Sequence, residues 1–454
     1  MAINANLTGY IIVPGDPEYP CARRVFNTLF SEYPQVIVYC HSACDVANAL
    51  HWARACNVPF RIRCGGHSYE GFSVLNGGLV IDISCLTAIN IDPCNQTAQV
   101  GAGHTLLALY TKLARLGVSI PGGTCPGVGV SGLTLGGGFG MHTRLWGMTC
   151  DNLTALEMID AEGRLIYADE NTNADLFWAS RGGGGGNFGI VTAFTFRLHP
   201  VSCVSIFEIT WDWQNIGEVI NTWQHWAPFT DNRLTSTLKI LTREKGTLTA
   251  AGEFLGPEAE LRQLLQPLLT TGKPVSTEIT TVPFIIAAYR WAGFPGDPDR
   301  WPRAPVPFKN TGSFAYDSLP ASAIDVIVNK LSTSPTQENW LTLQALGGAA
   351  ARLSSSATAY PHRQAQFALL YDSFPQHYCQ VQENIDWVEG FRTAMLAYTR
   401  GAYVNFPDCA IQDWPCAYYG ENLMRLMQVK ERYDPHNVFH FPQSIPLLNK
   451  AVPG

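Results

Sequence analysis

Apolar positions recur along the first 200 residues in two alternating rhythms. Residues 35–40 (QVIVYC) form an unbroken apolar run of the length of a buried strand. Val46, Ala49, Leu50 and Ala53 follow at helical spacing, with Asp45 placed to cap that helix. A second strand-like run, 60–64, leads straight into Gly65 and Gly66. Residues 79–83 and 98–100 read as further strands. Thr105 then precedes a helical stripe of Leu106, Leu109, Tyr110 and Leu113, which Gly117 ends. Strand and helix alternate, and glycine-rich turns fall at strand ends, as in an α/β or α+β cofactor domain.

After Pro200 the rhythm changes. Residues 204–213, 236–242, 248–254, 340–346 and 366–371 predict strands of an antiparallel sheet, interleaved with helices over 216–226, 258–269 and 323–331. Residues 287–307, rich in proline and aromatics, read as loop. A second domain that carries specificity is the expectation. A chain of 454 residues is in any case too long for one ordinary core, since domains run to about 100–200 residues.

Composition narrows the function classes. Charged residues make up 15% against a usual ~25%, and the net charge is -7, which argues against a polyanionic partner such as nucleic acid. Of 41 glycines, 25 fall between Gly65 and Gly189, where even spreading would place about 11. Residues 116–143 carry no Asp, Glu, Lys or Arg, but ten glycines with Pro121 and Pro126 make a poor helix, so a membrane span is excluded. The segment reads as backbone shaped to lie against something. Thirteen cysteines without a CxxC pair fit neither a disulfide framework nor a zinc site, and most read as buried thiols. No metal is expected. With no secretory signal visible in MAINANLTGY, the expected compartment is a reducing cytoplasm, and Asn6, Asn95 and Asn152 are chance matches to Asn-x-Thr.

Two segments fit G-x-G-x-x-G: Gly127, Gly129, Gly132 and Gly184, Gly186, Gly189. Neither has the strand before it that a nicotinamide-dinucleotide fingerprint requires, although both can bring N–H groups to a phosphate or a ring. His67, in RCGGHSYEG, is by itself a hydrogen-bonded structural histidine. Cys125, in GGTCPGVGV, lies in a turn, where inert packing is a weaker account of a thiol.

Taken together these motifs resemble the berberine bridge enzyme family of the vanillyl-alcohol oxidase superfamily. The likeness runs through RCGGHSYEG, CPGVGVSGLTLGGGFG, GGGGGNFGIVT, GGAAARLSSSATAYPHR, YVNFPD and YYGENLMRLMQVKERYDPHNVFHFPQS, in family order. It implies an α+β fold: a two-part FAD-binding domain of the PCMH type, with a substrate domain whose antiparallel sheet is flanked by helices. The expected division is 1–199 for FAD, 200–402 for substrate, and 403–454 returning to the first part. It also implies FAD held by two covalent bonds, from His67 to the 8α-methyl carbon and from Cys125 to carbon 6. Arg63, Cys64, Gly65, Gly66, His67 and Ser68 would form the pyrophosphate turn. Val128, Gly129, Gly132 and Gly137 would continue along the cofactor, with Gly189, Ile190 and Val191 toward the adenine and Asn405 in the YVNF segment. Val128, three residues after Cys125, stands where the family's residue influences oxygen access, and valine there favours an oxidase.

Oxidising an alcohol removes a proton as hydride leaves carbon, and a tyrosine can take that proton where its neighbours favour phenolate. The family's active-site tyrosines fall here at Tyr69 and Tyr403, but the second motif ends in Phe406, which accepts no proton. The base is Tyr403, Tyr69 or another group. Gln344 matches a polar position on the substrate side, with a hydrogen-bonded sheet residue as the even alternative. Leu370 falls where plant members carry Glu or Gln, so the alkaloid-cyclising arrangement is not reproduced. Most tryptophans read as core, with Trp291 and Trp301 in the Pro-rich loop as sugar-stacking candidates. The expected activity is oxidation of a sugar or related alcohol with dioxygen as electron acceptor. The expected state is monomer or homodimer, with no membrane and no nucleic-acid partner. A secondary-metabolite tailoring oxidase is the alternative, and a flavin-bearing binding protein with little turnover is the third reading.

Overall fold

A computed structural model describes residues 7–293 and 305–448. After a single helical turn at Tyr19–Ala22, the helix Ala43–Ala55 buries Val46, Ala49, Leu50 and Ala53 as the apolar stripe predicts. The cap is Ser42 rather than Asp45. The Asp45 N–H donates to the Ser42 hydroxyl at 3.2 Å and the Asp45 carboxylate accepts from the Ser42 N–H at 3.1 Å, a reciprocal capping box. This helix packs against a four-stranded sheet ordered Tyr10–Ile12, Val36–Tyr39, Leu79–Asp82, Phe60–Arg63. The last three strands run parallel, and Phe60–Arg63 delivers the chain to Cys64 at its carboxyl end. A second, antiparallel sheet is ordered Ile89–Asp92, Thr97–Gly101, Ile190–Arg197, Leu153–Ile159, Leu165–Asp169.

The third sheet has seven antiparallel strands: Ser276–Pro283, Cys203–Asp212, Thr247–Phe254, Leu234–Leu241, Asn339–Ala345, Phe367–Ser373 and Lys309–Ala315. The two outermost strands escape the apolar pattern. STEITTVP exposes most of its side chains. KNTGSFA is buried but polar, and its polar groups are satisfied by neighbours: Asn310 Oδ1 accepts from the Ser373 N–H, and Ser313 shares a hydrogen bond with Tyr371. Period-2 alternation divides this sheet into two faces. Trp211, Leu238, Leu341, Leu343, Leu369 and Tyr371 point into a core shared with the helices Ile216–Trp226, Ala321–Ser332 and Val381–Met395. The intervening Glu208, Thr237, Lys239, Thr249, Thr342 and Gln344 face the opposite way, into a cavity.

Three further sequence expectations need correction. The helix expected over 258–269 is two, Glu258–Leu264 and Gln266–Leu269, with Pro267 in the first turn of the second, where its missing N–H does no harm. The expected loop at 287–307 begins as helix, Phe284–Trp291, whose Phe284, Ala287 and Ala288 are buried against Leu106–Ala114. Trp301 lies outside the described residues. Most cysteines are not buried: only Cys40 and Cys150 are, although no disulfide joins any of the described ones.

The carboxyl-terminal helix Leu423–Tyr433 returns to the first two sheets through a buried ion pair. Lys430 and Asp434 are both fully buried, with Nζ to Oδ2 at 2.6 Å, and Nζ also donates to the carbonyls of Asn187 at 2.7 Å and Phe439 at 2.5 Å. This ammonium pins the Gly182–Asn187 turn from behind. Replacing it strands a buried carboxylate, so Lys430→Met should lower unfolding stability by ~3–5 kcal/mol, and Lys430→Met/Asp434→Leu should regain part of that loss. Denaturant titration measures both, and an unchanged midpoint in the single variant would contradict the assignment.

Candidate active site

Backbone proximity builds this site. The turn after Phe60–Arg63 and the loop before the helix Val130–Leu135 meet backbone to backbone at Gly65 and Gly129, with the Cys64 side chain also packed against Gly129. A Cβ on Gly65 would sit 2.5 Å from the Gly129 nitrogen, and one on Gly129 would sit 2.8 Å from the Gly65 nitrogen. Only glycine permits this approach. Beside the contact opens a cavity of about 730 Å³ that reaches from these two loops and the Gly184–Gly189 turn up to the polar face of the seven-stranded sheet. That volume suits a large organic ligand.

The lining is shaped to hold a group against bare backbone. A Cβ at Gly132 would meet no protein atom within 4 Å, and those at Gly185 and Gly186 would come no nearer than 3.6 Å to one, so all three leave room that a side chain would fill. Two buried polar atoms on the wall, Ser73 Oγ and Gln344 Nε2, have no hydrogen-bond partner in the protein. A flat cofactor with polar substituents fits this arrangement.

His67 and Cys125 both line the cavity from different loops. The His67 ring stacks on Phe26 with centroids 4.2 Å apart and planes at 17°, and burial lowers its pKa to about 4. Its imidazole is therefore neutral at ordinary pH, with a lone pair available. Cys125 is exposed toward the cavity. Cys64, by contrast, gives its thiol to the Ala102 carbonyl at 3.3 Å, and burial pushes its pKa up to about 12.

Tyr403 and Tyr69 lie farther up the same wall. The Tyr403 phenol oxygen accepts from the Gly138 N–H at 2.7 Å and from Asn405 Nδ2 at 3.0 Å, and Asn405 Nδ2 also donates to the Leu133 carbonyl at 2.9 Å. Burial raises the Tyr403 pKa, and these two donors pull against it. Tyr69 is raised as well, by burial first and then by the nearby Cys125 and Asp372, with a hydrogen bond to Asn310 opposing. Its ring lies flat on Phe406, centroids 5.4 Å apart at 4°, so Phe406 serves as a wall between the two tyrosines.

Among the residues singled out from sequence, Cys64, Gly65, Gly66, Ser68, Val128, Gly129, Gly132, Gly189, Ile190, Val191, Gln344 and Asn405 join His67, Cys125 and the two tyrosines on the lining. Arg63 and Gly137 do not. Arg63 turns inward to a buried pair with Asp82, Nε to Oδ2 at 2.5 Å, and Gly137 packs behind the wall on Met148 and Tyr360. Several residues of the site carry no sequence signal of their own. Lys239 lines the cavity with its ammonium 3.8 Å from the Trp340 ring centroid. Asp372, its pKa raised to about 6 by burial, accepts from the Thr342 hydroxyl at 3.1 Å. Trp291, singled out from sequence as a stacking candidate, also lines the cavity, and its indole N–H donates to Glu253 at 2.6 Å, while Glu253 meets His142 at 2.6 Å.

Known proteins share this architecture. The family described as FAD binding domain matches residues 34–169, and the one described as berberine and berberine like matches 402–446. An uncharacterized FAD-linked oxidoreductase of Bacillus subtilis, YgaK, is 46% identical over 450 residues, covering 98% of each chain. Among solved structures, Physcomitrella patens BBE-like 1 superposes with a TM-score of 0.92 at 28% identity, over 98% of both chains. A chitooligosaccharide oxidase superposes at 0.88 with 26% identity, again over 98% of both. The chain belongs to the berberine bridge enzyme-like FAD-linked oxidoreductases. Its cofactor is FAD. Among the described residues no helix is long and apolar enough to cross a membrane.

The shifted histidine has a consequence for stability. Its folded-state pKa of about 4 lies below the ordinary 6.5. Between these values the unfolded chain binds more protons than the native one, so stability falls as pH drops through the window and is level above it. In the flavin-free protein, His67→Gln should flatten that dependence by up to about 1.4 kcal/mol per pH unit. Denaturant unfolding at several pH values measures the slope; equal slopes in the two proteins would show that His67 titrates normally.

Proposed function

We propose that this protein is an oxidase that removes hydride from an alcohol or hemiacetal carbon of a polyhydroxylated substrate, with FAD held through both His67 and Cys125. The carrying observation is that these two nucleophiles, 58 residues apart in sequence, line one cavity whose opposite wall is the polar sheet face. When bound, FAD supplies the hydride acceptor and passes the electrons to dioxygen, which leaves as hydrogen peroxide. Two anchors would let the cleft stay open to substrate without loss of the cofactor. Val128 beside Cys125 supports access for dioxygen. We further assign residues 1–199 and 403–454 to cofactor binding and 200–402 to substrate.

Tyr403 is the better base of the two tyrosines. Its oxygen already receives two N–H donors, which stabilise negative charge on the phenolate in the manner of an oxyanion site. Tyr69 has one such partner, Asn310, and faces Asp372. Tyr403 would take the hydroxyl proton of substrate while Gln344 Nε2, unpartnered and nine-tenths buried, donates to a neighbouring substrate oxygen. The hydroxyls of Thr237, Thr249 and Thr342 on the same face favour a sugar-like ligand over an apolar one. The likeness to a chitooligosaccharide oxidase supports the same class.

Anaerobic mixing with a panel of sugars, polyols and apolar amines should bleach the flavin with a sugar or polyol, and admission of air should then yield peroxide. Bleaching only by apolar amines would overturn the substrate class. Because burial raises the Tyr403 pKa, the reduction rate should increase with pH as the phenolate forms. Tyr403→Phe should slow reduction by at least ~10²-fold and abolish that rise, with little change in substrate binding. An unchanged rate in the variant would remove Tyr403 from the role.

A further inference from the structure

A segment with no motif of its own braces the turn that carries His67. Residues 25–28 pass between the Gly66–Tyr69 turn and the chain at Val306–Phe308, with an isolated bridge from Asn27 to Val306. The Phe26 N–H donates to the Gly66 carbonyl at 3.0 Å, and the Phe26 carbonyl accepts from the Val306 N–H at 3.0 Å. Asn27, 1% exposed, donates through Nδ2 to the carbonyls of Tyr69 at 2.8 Å and Phe308 at 3.0 Å. These bonds brace the turn on both sides of His67 and involve only backbone and Asn27. The Phe26 ring is therefore free for another task. It lies face to face with the imidazole at 4.2 Å and 17°, backed by Phe308 at 5.9 Å. One face of the imidazole is covered by Phe26, and His67 lines the cavity.

We propose that Phe26 is a positioning residue for covalent attachment: its ring holds the imidazole plane of His67 in the orientation that aims a nitrogen lone pair at the flavin methyl carbon. The inference rests on the reading of His67 as an attachment residue. In that step His67 gives a lone pair to the new N–C bond. One proton leaves the methyl carbon and one leaves the imidazole, and the electron pair goes to the flavin ring system, from which dioxygen removes it as hydrogen peroxide. A lone pair lies in the ring plane, so bond formation depends on the angle of that plane as much as on distance. A stacked aromatic neighbour restricts rotation of the ring out of this plane, and covering one face also keeps the imidazole desolvated and neutral.

The test isolates the histidine bond. Full-length Cys125→Ala protein, produced flavin-free in a riboflavin-starved host, is mixed with FAD in air, and acid-stable flavin on the His67 peptide is followed by mass spectrometry. Adding Phe26→Ala or Phe26→Leu should slow its appearance about tenfold, the effect of losing one aromatic pair. Phe26→Tyr should restore the Cys125→Ala rate. Leucine preserves apolar bulk, so it separates loss of the stack from loss of packing, and flavin binding measured before attachment should be alike in all four proteins. Equal attachment rates for Phe26→Leu and Phe26→Tyr overturn the inference and leave His67 as the anchor. Absence of flavin on His67 in the Cys125→Ala parent overturns the anchor itself, and the inference with it.

Discussion

The site depends on the contact between Gly65 and Gly129. Two loops that belong to distant parts of the sequence meet there backbone to backbone, with no room for a β-carbon on either side. The close approach sets how far apart His67 and Cys125 stand, because each is within four residues of the contact. It also leaves the N–H groups of both loops beside one cavity. Around this contact the rest of the fold is support. The parallel strand Phe60–Arg63 delivers one loop, and the helix Val130–Leu135 carries the other away. From behind, the buried Lys430–Asp434 pair holds the Gly182–Asn187 turn.

The seven-stranded sheet resolves a second constraint, that one face must be apolar for stability and the other polar for recognition. Period-2 alternation meets both. Leu341, Leu343 and Ala345 go to the helices while the alternating Thr342 and Gln344 face the cavity, and Leu238 alternates with Thr237 and Lys239 in the same way. The Gln344 Nε2, which has no partner in the protein, is costly to bury unless a ligand satisfies it. The same argument distinguishes the two tyrosines. The pKa of both is raised, but only the Tyr403 oxygen receives hydrogen bonds from two N–H donors, which would favour the phenolate proposed for it.

Much of this was legible in the chain. Elements with strong apolar periodicity, such as the helix over 216–226 and the strands near 248–254 and 340–346, appear within a residue or two of their expected bounds. The glycine-dense motifs mark the cavity wall because backbone apposition leaves a compositional trace. Strands stabilised by polar networks leave none, and Lys309–Ala315 was missed for that reason. Arg63 shows the limit of reasoning from motif position: it sits in the turn motif, yet its guanidinium goes to Asp82. Phe26, Lys239 and Asp372 were invisible because their relation to the site exists only in three dimensions, across strands and loops far apart in sequence.

One cavity is lined by both His67 and Cys125, the two residues proposed to anchor a single flavin. The most direct measurement is mass spectrometry of the acid-denatured wild-type protein, first intact and then after digestion. The prediction is a polypeptide heavier by one FAD, with the flavin joining the peptide that contains His67 to the peptide that contains Cys125. A polypeptide of bare mass, with all FAD in the acid supernatant, would contradict it.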